Sequence, residues 1–567
     1  MSVLATSREP LRVRGEHEFE VPPLAVPGGD ERTAADIAPV AAVELFAWHA
    51  GAIQGWELTD ADAPAVAAIC QHLDGMPLAV ELAAAQTRTM PVRVIAERLG
   101  DHLALDVLTD GPRDAPARQR TLSATIAWSH DLLGAALQRL LHRLSVFPSD
   151  WTREAAEHVA GDLGPGSVLP GLGALTARHL VVALPGDRLR MYETVQEFAA
   201  AGLAAEGQTA ATEARHTSYV IGVIETDWTG PSGPDRPSWL DAVESVHDDA
   251  RAALARALRD GDQWTAVRIA GAMWRFWYDR GHLAEGDRWL GLALEAGRLR
   301  PADDTQAHFL ARALNGRGAT SQYLHSDPQL PRACYRRARE LRQEAGDMRG
   351  VASALGNLAL IEQYHGDPGD AERLYQEANA CFRACGDDLG LAAQMSNLGT
   401  LLVARGRHAE AAQAFAAALA TFREHGDETG AAYTLLGQAS LASASGQPAA
   451  AAALAEESRA MFAELRNPIG GNEALLALAQ ARAAQQDAAG ASELLAQVLA
   501  AARTMEDQWN AAAALRAMAE LAAHGGDPGA ADLARQALSC YRAVGYRAGI
   551  AAAQELLAAL GTPNAGH

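Results

Sequence analysis

Apolar positions along this chain recur mostly with a helical period, and short polar breakers cut the pattern into helix-length pieces. The breakers are most regular between Gly346 and Gly549, where one phrase returns every 40 residues: Gly346-Asp347-Met348-Arg349-Gly350, Gly386-Asp387-Asp388-Leu389-Gly390 and Gly426-Asp427-Glu428-Thr429-Gly430, decaying at Arg466 to Gly470 and Glu506 to Asn510. A second phrase lies half a period away, at His365-Gly366-Asp367, Arg405-Gly406-Arg407, Ser445-Gly446-Gln447, Gln486-Asp487 and Gly526-Asp527. Two breakers per period leave two helices per period. Small residues keep phase with them: Ala359, Gly399, Ala439, Ala479 and Ala519 in the first helix, and Ala371, Ala411, Ala451, Ala491 and Ala531 in the second. A small residue at each period marks a close helix crossing. Such a unit cannot bury its apolar face alone, so neighbours must stack into an α-α solenoid.

Upstream the pattern is helical but not periodic between elements. Val3 to Thr6 reads as a short buried strand that has lost its neighbours, as if the chain began inside a domain, and Val21 to Gly29 as a linker. Helices are expected around Val43 to Phe46, after Asp60 or Asp62 through Leu73, and over Val80 to Thr87, with Gly75-Met76-Pro77-Leu78-Ala79 as the break between the last two. Leu122 to Leu133, Leu137 to Phe147 and Thr152 to Val159 follow, and then a hairpin, Leu180 to Leu184 and Arg188 to Tyr192, around Pro185-Gly186-Asp187. Helices closing on a hairpin are the pattern of a winged helix. The expected organisation is a remnant strand and linker (1–30), a helical subdomain (31–116), a winged-helix-like domain (117–204), a helical connector (205–262), a repeat array (263–560) and a tail (561–567). The fold class is mainly α.

The repeat phrases resemble a tetratricopeptide (TPR) array in a long-looped form, through the in-phase small residues together with Leu358 and Leu398, Tyr375 and Phe415, and Ala378 and Ala418. Trp274, Phe276, Trp277, Gly281, Gly286, Trp289 and Leu290 look like an earlier repeat, whose tryptophans form either a capping core or a ligand cage. The resemblance implies that first helices line a concave face. Counting from the small residues puts Ser353, Asn357, Leu360, Gln363 and Tyr364 of one repeat near Asn397 and Thr400 of the next. Amides one period apart can donate to and accept from an extended peptide backbone, or simply bond a neighbouring helix.

Composition sharpens this. The net charge is −22, which argues against a phosphate-binding surface spread over the molecule. Between Thr121 and Ala200 there are six Arg against eight Asp/Glu, so direct DNA binding by the winged-helix segment is not expected. The chain contains no lysine. Cys70, Cys334, Cys381, Cys385 and Cys540 are scattered and odd in number, and read as buried thiols of a cytosolic protein. No histidine pair has metal-ligand spacing, no leader opens the chain, and no apolar run approaches the roughly 18 residues of a membrane span. A cytoplasmic location is expected.

A second resemblance lies in the order of phrases over residues 1 to 200. Val3 to Leu11, Gly75-Met76-Pro77-Leu78-Ala79, Arg118-Gln119-Arg120-Thr121-Leu122 with Trp128-Ser129, Leu144-Ser145-Val146-Phe147 and Met191-Tyr192-Glu193-Thr194-Val195 look like the second half of an NB-ARC (STAND-class) switch ATPase, of the type found in actinobacterial transcriptional regulators. The resemblance implies nucleotide-facing roles for Arg8 (phosphate sensor), Pro77 (adenine packing), and Tyr192 and Glu193 (diphosphate sensing). Plainer roles are open for each: a solvated loop arginine, a helix breaker, and anchors between hairpin and helix. The family's phosphate loop, Gly-x-x-x-x-Gly-Lys-Ser/Thr, needs a lysine, so this chain has none. ADP or ATP is expected only if a missing half supplies that loop. The reading is a non-enzymatic regulatory or scaffold protein that binds a protein or peptide through its concave face and is open to self-association. The alternative is a nucleotide-dependent transcriptional regulator whose ATPase half lies outside this chain.

Overall fold

The computed structural model describes residues 22–28, 33–54, 56–100, 108, 121–164, 166–226, 233–295, 299–325 and 327–561. The strand expected at Val3 to Thr6, and Arg8 with it, lie outside these residues. The chain divides into two compact units, Met1–Val220 with Asp248–Ala253, and Ile221–His247 with Leu254–His567.

In the first unit, α1 (Ala34–Ile37), α2 (Ala41–Gln54), α3 (Ala63–His72), α4 (Pro77–Gln86) and α5 (Val92–Gly100) bury Ile37, Val43, Phe46, Val66, Ile69 and Leu73. Asp62 precedes α3, but its carboxylate accepts from Thr59 Oγ1 at 2.8 Å instead of capping the helix. Pro77 does not break a helix: it opens α4 as its first residue, where a missing N–H costs nothing and the fixed φ suits the helix. The break is supplied by Asp74 and Gly75, both at positive φ (49° and 63°). A side chain at Gly75 would collide with the Leu24 carbonyl oxygen.

Next come α6 (Leu122–Asp131), α7 (Ala135–Leu144), β1 (Trp151–Thr152), α8 (Arg153–Ala160), α9 (Val168–Thr176), β2 (Val182–Leu184), β3 (Arg188–Arg190) and α10 (Glu193–Ala205), with α11 (Thr209–Glu225) spanning the division between units. Thr121 and Thr152 cap α6 and α8 by accepting from the backbone N–H groups three residues on. The sheet is antiparallel in the order β1-β3-β2, with Leu184 opposite Arg188 across the expected turn. The third strand, β1, pairs Trp151 with Leu189. It was not legible because two residues carry no period. Trp151 stacks on Phe147 at 5.1 Å, and the buried His216 bonds the buried Asp249 at 2.8 Å.

The second unit opens with α12 (Arg236–Ser245) and, in part, α13 (His247–Arg259). Seven helix pairs and a last helix follow among the described residues: α14 and α15 (Gln263–Asp279, Leu283–Leu294), α16 and α17 (Asp304–Leu324, Gln329–Glu344), α18 and α19 (Met348–His365, Pro368–Cys385), α20 and α21 (Asp388–Ala404, His408–Glu424), α22 and α23 (Glu428–Ala444, Pro448–Glu464), α24 and α25 (Pro468–Ala484, Ala488–Thr504), α26 and α27 (Gln508–His524, Ala530–Ala543), and α28 (Arg547–Gly561). This is a TPR-like helical solenoid.

The recurring phrase has three jobs. Its first glycine ends the second helix in the left-handed region, at φ 71°, 68° and 66° for Gly346, Gly386 and Gly426. Its aspartate caps the next helix: Asp347, Asp387 and Asp427 accept from the N–H of Gly350, Gly390 and Gly430 at 2.8 to 2.9 Å. Its last glycine seats a side chain from the preceding helix, Arg342 at Gly350 and an aromatic ring in the next three repeats. A Cβ at Gly390, Gly430 or Gly470 would lie 2.3 to 2.4 Å from Phe382, Phe422 or Phe462. Each such ring contributes roughly 2 to 3 kcal/mol by burial. Gly399 and Gly437 likewise form a notch for Phe415. In the last pair the second-helix phase slips by one residue, so that Ala530 is buried and Ala531 is only partly so.

In the first repeats, tryptophans pack on glycines, Trp277 on Gly286 and Trp274 on Gly316, and Trp277 is fully buried. The cysteines are not uniformly buried: Cys70 and Cys334 are, Cys381 and Cys540 are partly exposed, and Cys385 is exposed. A helix carrying alternate polar faces, as α19 does, leaves Cys385 on its solvent side. No helix among the described residues is long and apolar enough to cross a membrane.

Candidate functional site

The first helices form the inner layer of the solenoid. α18, α20, α22, α24 and α26 each touch the next, and across the superhelical turn α14 meets α24, α16 meets α26 and α18 meets α28. One turn therefore takes five repeats. The turns are joined by side chains. Arg280 donates to the carbonyls of Leu465 and Arg466 at 3.0 and 3.1 Å, Tyr364 packs edge-on against Trp509 (5.0 Å) and Tyr546 (5.9 Å), and His365 Nδ1 lies 3.2 Å from the Gly545 carbonyl.

Within this layer Asn357, Leu360, Asn397 and Thr400 keep partial exposure. Asn357 Nδ2 donates to Asn315 Oδ1 at 2.7 Å, so this amide bonds the neighbouring first helix α16, the plainer of the two roles open to it. Thr400 Oγ1 is 3.4 Å from the Ser396 carbonyl, the usual back-bond of a helical threonine. Gln363 is turned toward its partner helix, its Oε1 accepting from the Tyr375 hydroxyl at 3.0 Å. Tyr364 is taken up by the contact between turns.

Sequence reasoning named Tyr364 but missed the other members of a second set on the same layer. The last turns of α14, α16 and α18 carry Tyr278, Tyr323 and Tyr364, and the second turns of α22 and α24 carry Tyr433 and Glu473. Tyr433 and Glu473 stand two and three periods of 40 beyond Ser353, so a periodic count could have flagged them. Nothing in one period announces that residues five repeats apart will meet. The Tyr278 and Tyr323 hydroxyls lie 2.8 Å apart. Burial, and then the nearby Glu473 carboxylate, push the Tyr278 phenol up to about 12 and raise Tyr364. Tyr323 and Tyr433 are raised as well, by burial first, with Glu473 among the further causes. The Tyr433 hydroxyl is buried and has no hydrogen-bond partner. Glu473 is walled in by protein while retaining some solvent exposure. Burial, and secondarily Asp507, push its carboxyl up to about 8.

In the first unit the turn before Pro77 meets the start of α10. Asp74 accepts from Arg190 at 2.9 Å and from the Glu193 N–H at 3.3 Å, His72 Nδ1 is 3.2 Å from Glu193 Oε2, and the Arg190 guanidinium lies over the Tyr192 ring at 5.2 Å. Glu193 thus sits against the turn that precedes Pro77, with Tyr192 next to it in the chain.

No family model matches the chain. A Mycobacterium tuberculosis protein provisionally named an HTH-type transcriptional regulator is 37% identical over 335 residues, 58% of this chain and 36% of that protein. A counterpart from Mycobacterium bovis matches equally. An uncharacterized M. tuberculosis protein is 32% identical over 229 residues, 39% of this chain and 54% of that protein. The chain spans about a third of the length of the regulators it matches. Among solved structures, a STAND protein with a tetratricopeptide repeat sensor from Pyrococcus horikoshii aligns over 85% of this chain and 74% of its own, at TM-score 0.40 and 14% identity. A Rap protein complexed with Competence and Sporulation Factor aligns over 62% and 98%, at TM-score 0.40 and 13% identity. The solenoid assignment rests on this chain's own repeat geometry. The relatives' names refer to a helix-turn-helix, so they lend no support to the expectation that the protein stays off DNA.

Proposed function

We propose that the solenoid, residues 263–560, holds a peptide or an extended segment of a protein partner along its inner face, and that the chain serves as a regulatory or scaffold protein without catalysis of its own. The observation that carries this is that Asn315, Asn357 and Asn397, on successive first helices, and Thr400 all keep partial exposure, on an inner layer where a solenoid built only for packing would place alanine and leucine. Amides repeated along an axis can satisfy a ligand backbone without reading its sequence. Leu360 adds an apolar surface. Removing one hydrogen bond to the peptide costs about 1 kcal/mol.

The test replaces Asn357 and Asn397 by Ala together, checks helicity and melting, and measures capture of partners from native extract by mass spectrometry. The expected result is loss of the specifically captured partner at least tenfold. Undiminished capture overturns the reading.

The resemblance to HTH-type regulators favours a second reading, in which the chain is the sensing part of a nucleotide-dependent transcriptional regulator. Under it, Arg8, Pro77, Tyr192 and Glu193 are remnants of a nucleotide-facing wall, and cytoplasmic action follows.

A further inference from the structure

Two imidazoles meet nitrogen to nitrogen in the first unit. His130 lies in the last turn of α6 and His142 in the last turn of α7. Their Nε2 atoms are 3.0 Å apart, on rings 13° from parallel with centroids separated by 5.0 Å. The far nitrogen of each ring faces a carboxylate: His142 Nδ1 is 2.9 Å from Oε1 of Glu206, the C-cap of α10, and His130 Nδ1 is 3.4 Å from Asp131 Oδ1. Packing holds the pair in place. The His142 side chain is 8% exposed and that of His130 15%. Phe198 of α10 stands edge-on to His130 at 5.3 Å, and Gly202 of α10 lies so close to the His142 ring that any side chain there would collide with it.

A spacing of 3.0 Å is that of an N–H···N bond, which needs a proton on one nitrogen and none on the other. The neutral arrangement is complete. His130 Nε2–H donates to His142 Nε2, and His142 Nδ1–H donates to Glu206. One further proton has a place on His130 Nδ1, facing Asp131, and leaves both bonds intact. A second has none, because it must go to His142 Nε2, where it removes the acceptor and sets two cationic rings against each other. Burial holds the His142 imidazole below its usual range, with the nearby His130 adding to this and Glu206 opposing it. Other charged groups on the surrounding helices include Arg139, exposed on α7, Glu197, partly exposed on α10, and Arg143 of α7 and Arg215 of α11, which both bind Asp162 at 2.7 Å. α9 carries no charged residue, and α8 buries Ala155, Ala156 and Val159.

We propose that His130 and His142 form a proton-sensitive catch, which holds α6 against α7 and α10 while the two rings carry at most one charge between them and releases α6 when acid charges both. The helix is otherwise lightly held: of its ten residues only Leu122 and Ile126 are buried. Two rings coupled in this way titrate as a unit. A folded state that resists the second proton contributes stability above the ordinary imidazole value of about 6.5 and loses it as pH falls below that value.

Amide hydrogen exchange of the full chain, read by mass spectrometry between about pH 8 and pH 5 and corrected for the intrinsic rate, tests this. Peptides covering α6 should lose protection roughly tenfold more than those covering α8 as pH falls, since each unit of depressed titration supplies a factor of ten. In His130→Gln or His142→Gln a single ring remains, beside an amide that can turn to accept from it, and α6 protection should stay flat with pH. Glu206→Gln keeps both rings but removes the carboxylate that eases charge on His142, so the loss in acid should deepen; this variant and the wild type decide the matter if circular dichroism shows either histidine variant unfolded. Wild-type α6 protection that ignores pH, an acid loss that persists undiminished in either folded histidine variant, or a Glu206→Gln response no deeper than the wild type's overturns the proposal.

Discussion

Glu473 binds a proton in the folded chain over a range of pH where the unfolded chain has released it. Its carboxyl rises from 4.5 to about 8 through burial and the neighbouring Asp507. A folded value above the unfolded one means that the native state holds more protons between those limits, so this group's contribution to stability is complete below about 4.5 and is lost as pH rises through 8. The melting temperature of the wild type should therefore fall by a few degrees, relative to Glu473→Gln, between pH 5 and 8. Thermal scans of the two proteins that stay parallel across this range would show that Glu473 is not walled in as described. The residue occupies the register of Ser353, three periods on, which is why the inner stripe was readable as a stripe. What lay beyond reading was its surroundings, because the rings of Tyr278 and Tyr323 come from helices that begin about 210 and 170 residues earlier in the chain.

At the scale of elements, the period of 40 made two helices per repeat legible, since glycine and aspartate punctuate a chain for definite stereochemical reasons. The same punctuation shows where it has decayed. Gln486 holds φ at 66° where Gly406 and Gly446 hold 72°, and Arg466 and Glu506 hold 50° and 57° where earlier repeats place glycine. A side chain in that conformation costs about 1 to 2 kcal/mol, partly offset by the greater freedom glycine has when unfolded. Gln486→Gly should raise stability by about 0.5 to 1 kcal/mol in urea denaturation without altering the slope of the transition. A loss of stability would mean that Gln486 makes compensating interactions. Boundaries were less legible than elements. Pro77 carried both a stop and a start meaning, and only the positive φ of Asp74 and Gly75 shows which residues perform the stop.

Over the whole molecule, the complete absence of lysine is the broadest chemical statement the sequence makes. A phosphate loop of the Gly-x-x-x-x-Gly-Lys type cannot be assembled from this chain. Equilibrium dialysis of the purified protein should accordingly find no micromolar affinity for ATP or ADP, and finding one would revive a nucleotide site around Pro77, Tyr192 and Glu193. The repeat array was legible at this scale, but its curvature was not, because a small rotation per repeat, set by packing volumes, decides whether successive turns stand apart or touch. Here they touch, through Arg280, Tyr364 and His365. An array in which each repeat leans only on its neighbours behaves as a row of dominoes, able to fray from either end one piece at a time. Bonds that skip five repeats convert that row into a closed lattice, in which α14 is braced by α24 and α18 by α28. Fraying at the last helix then withdraws support from the third repeat, and a disturbance at one end reaches the other without passing through everything between.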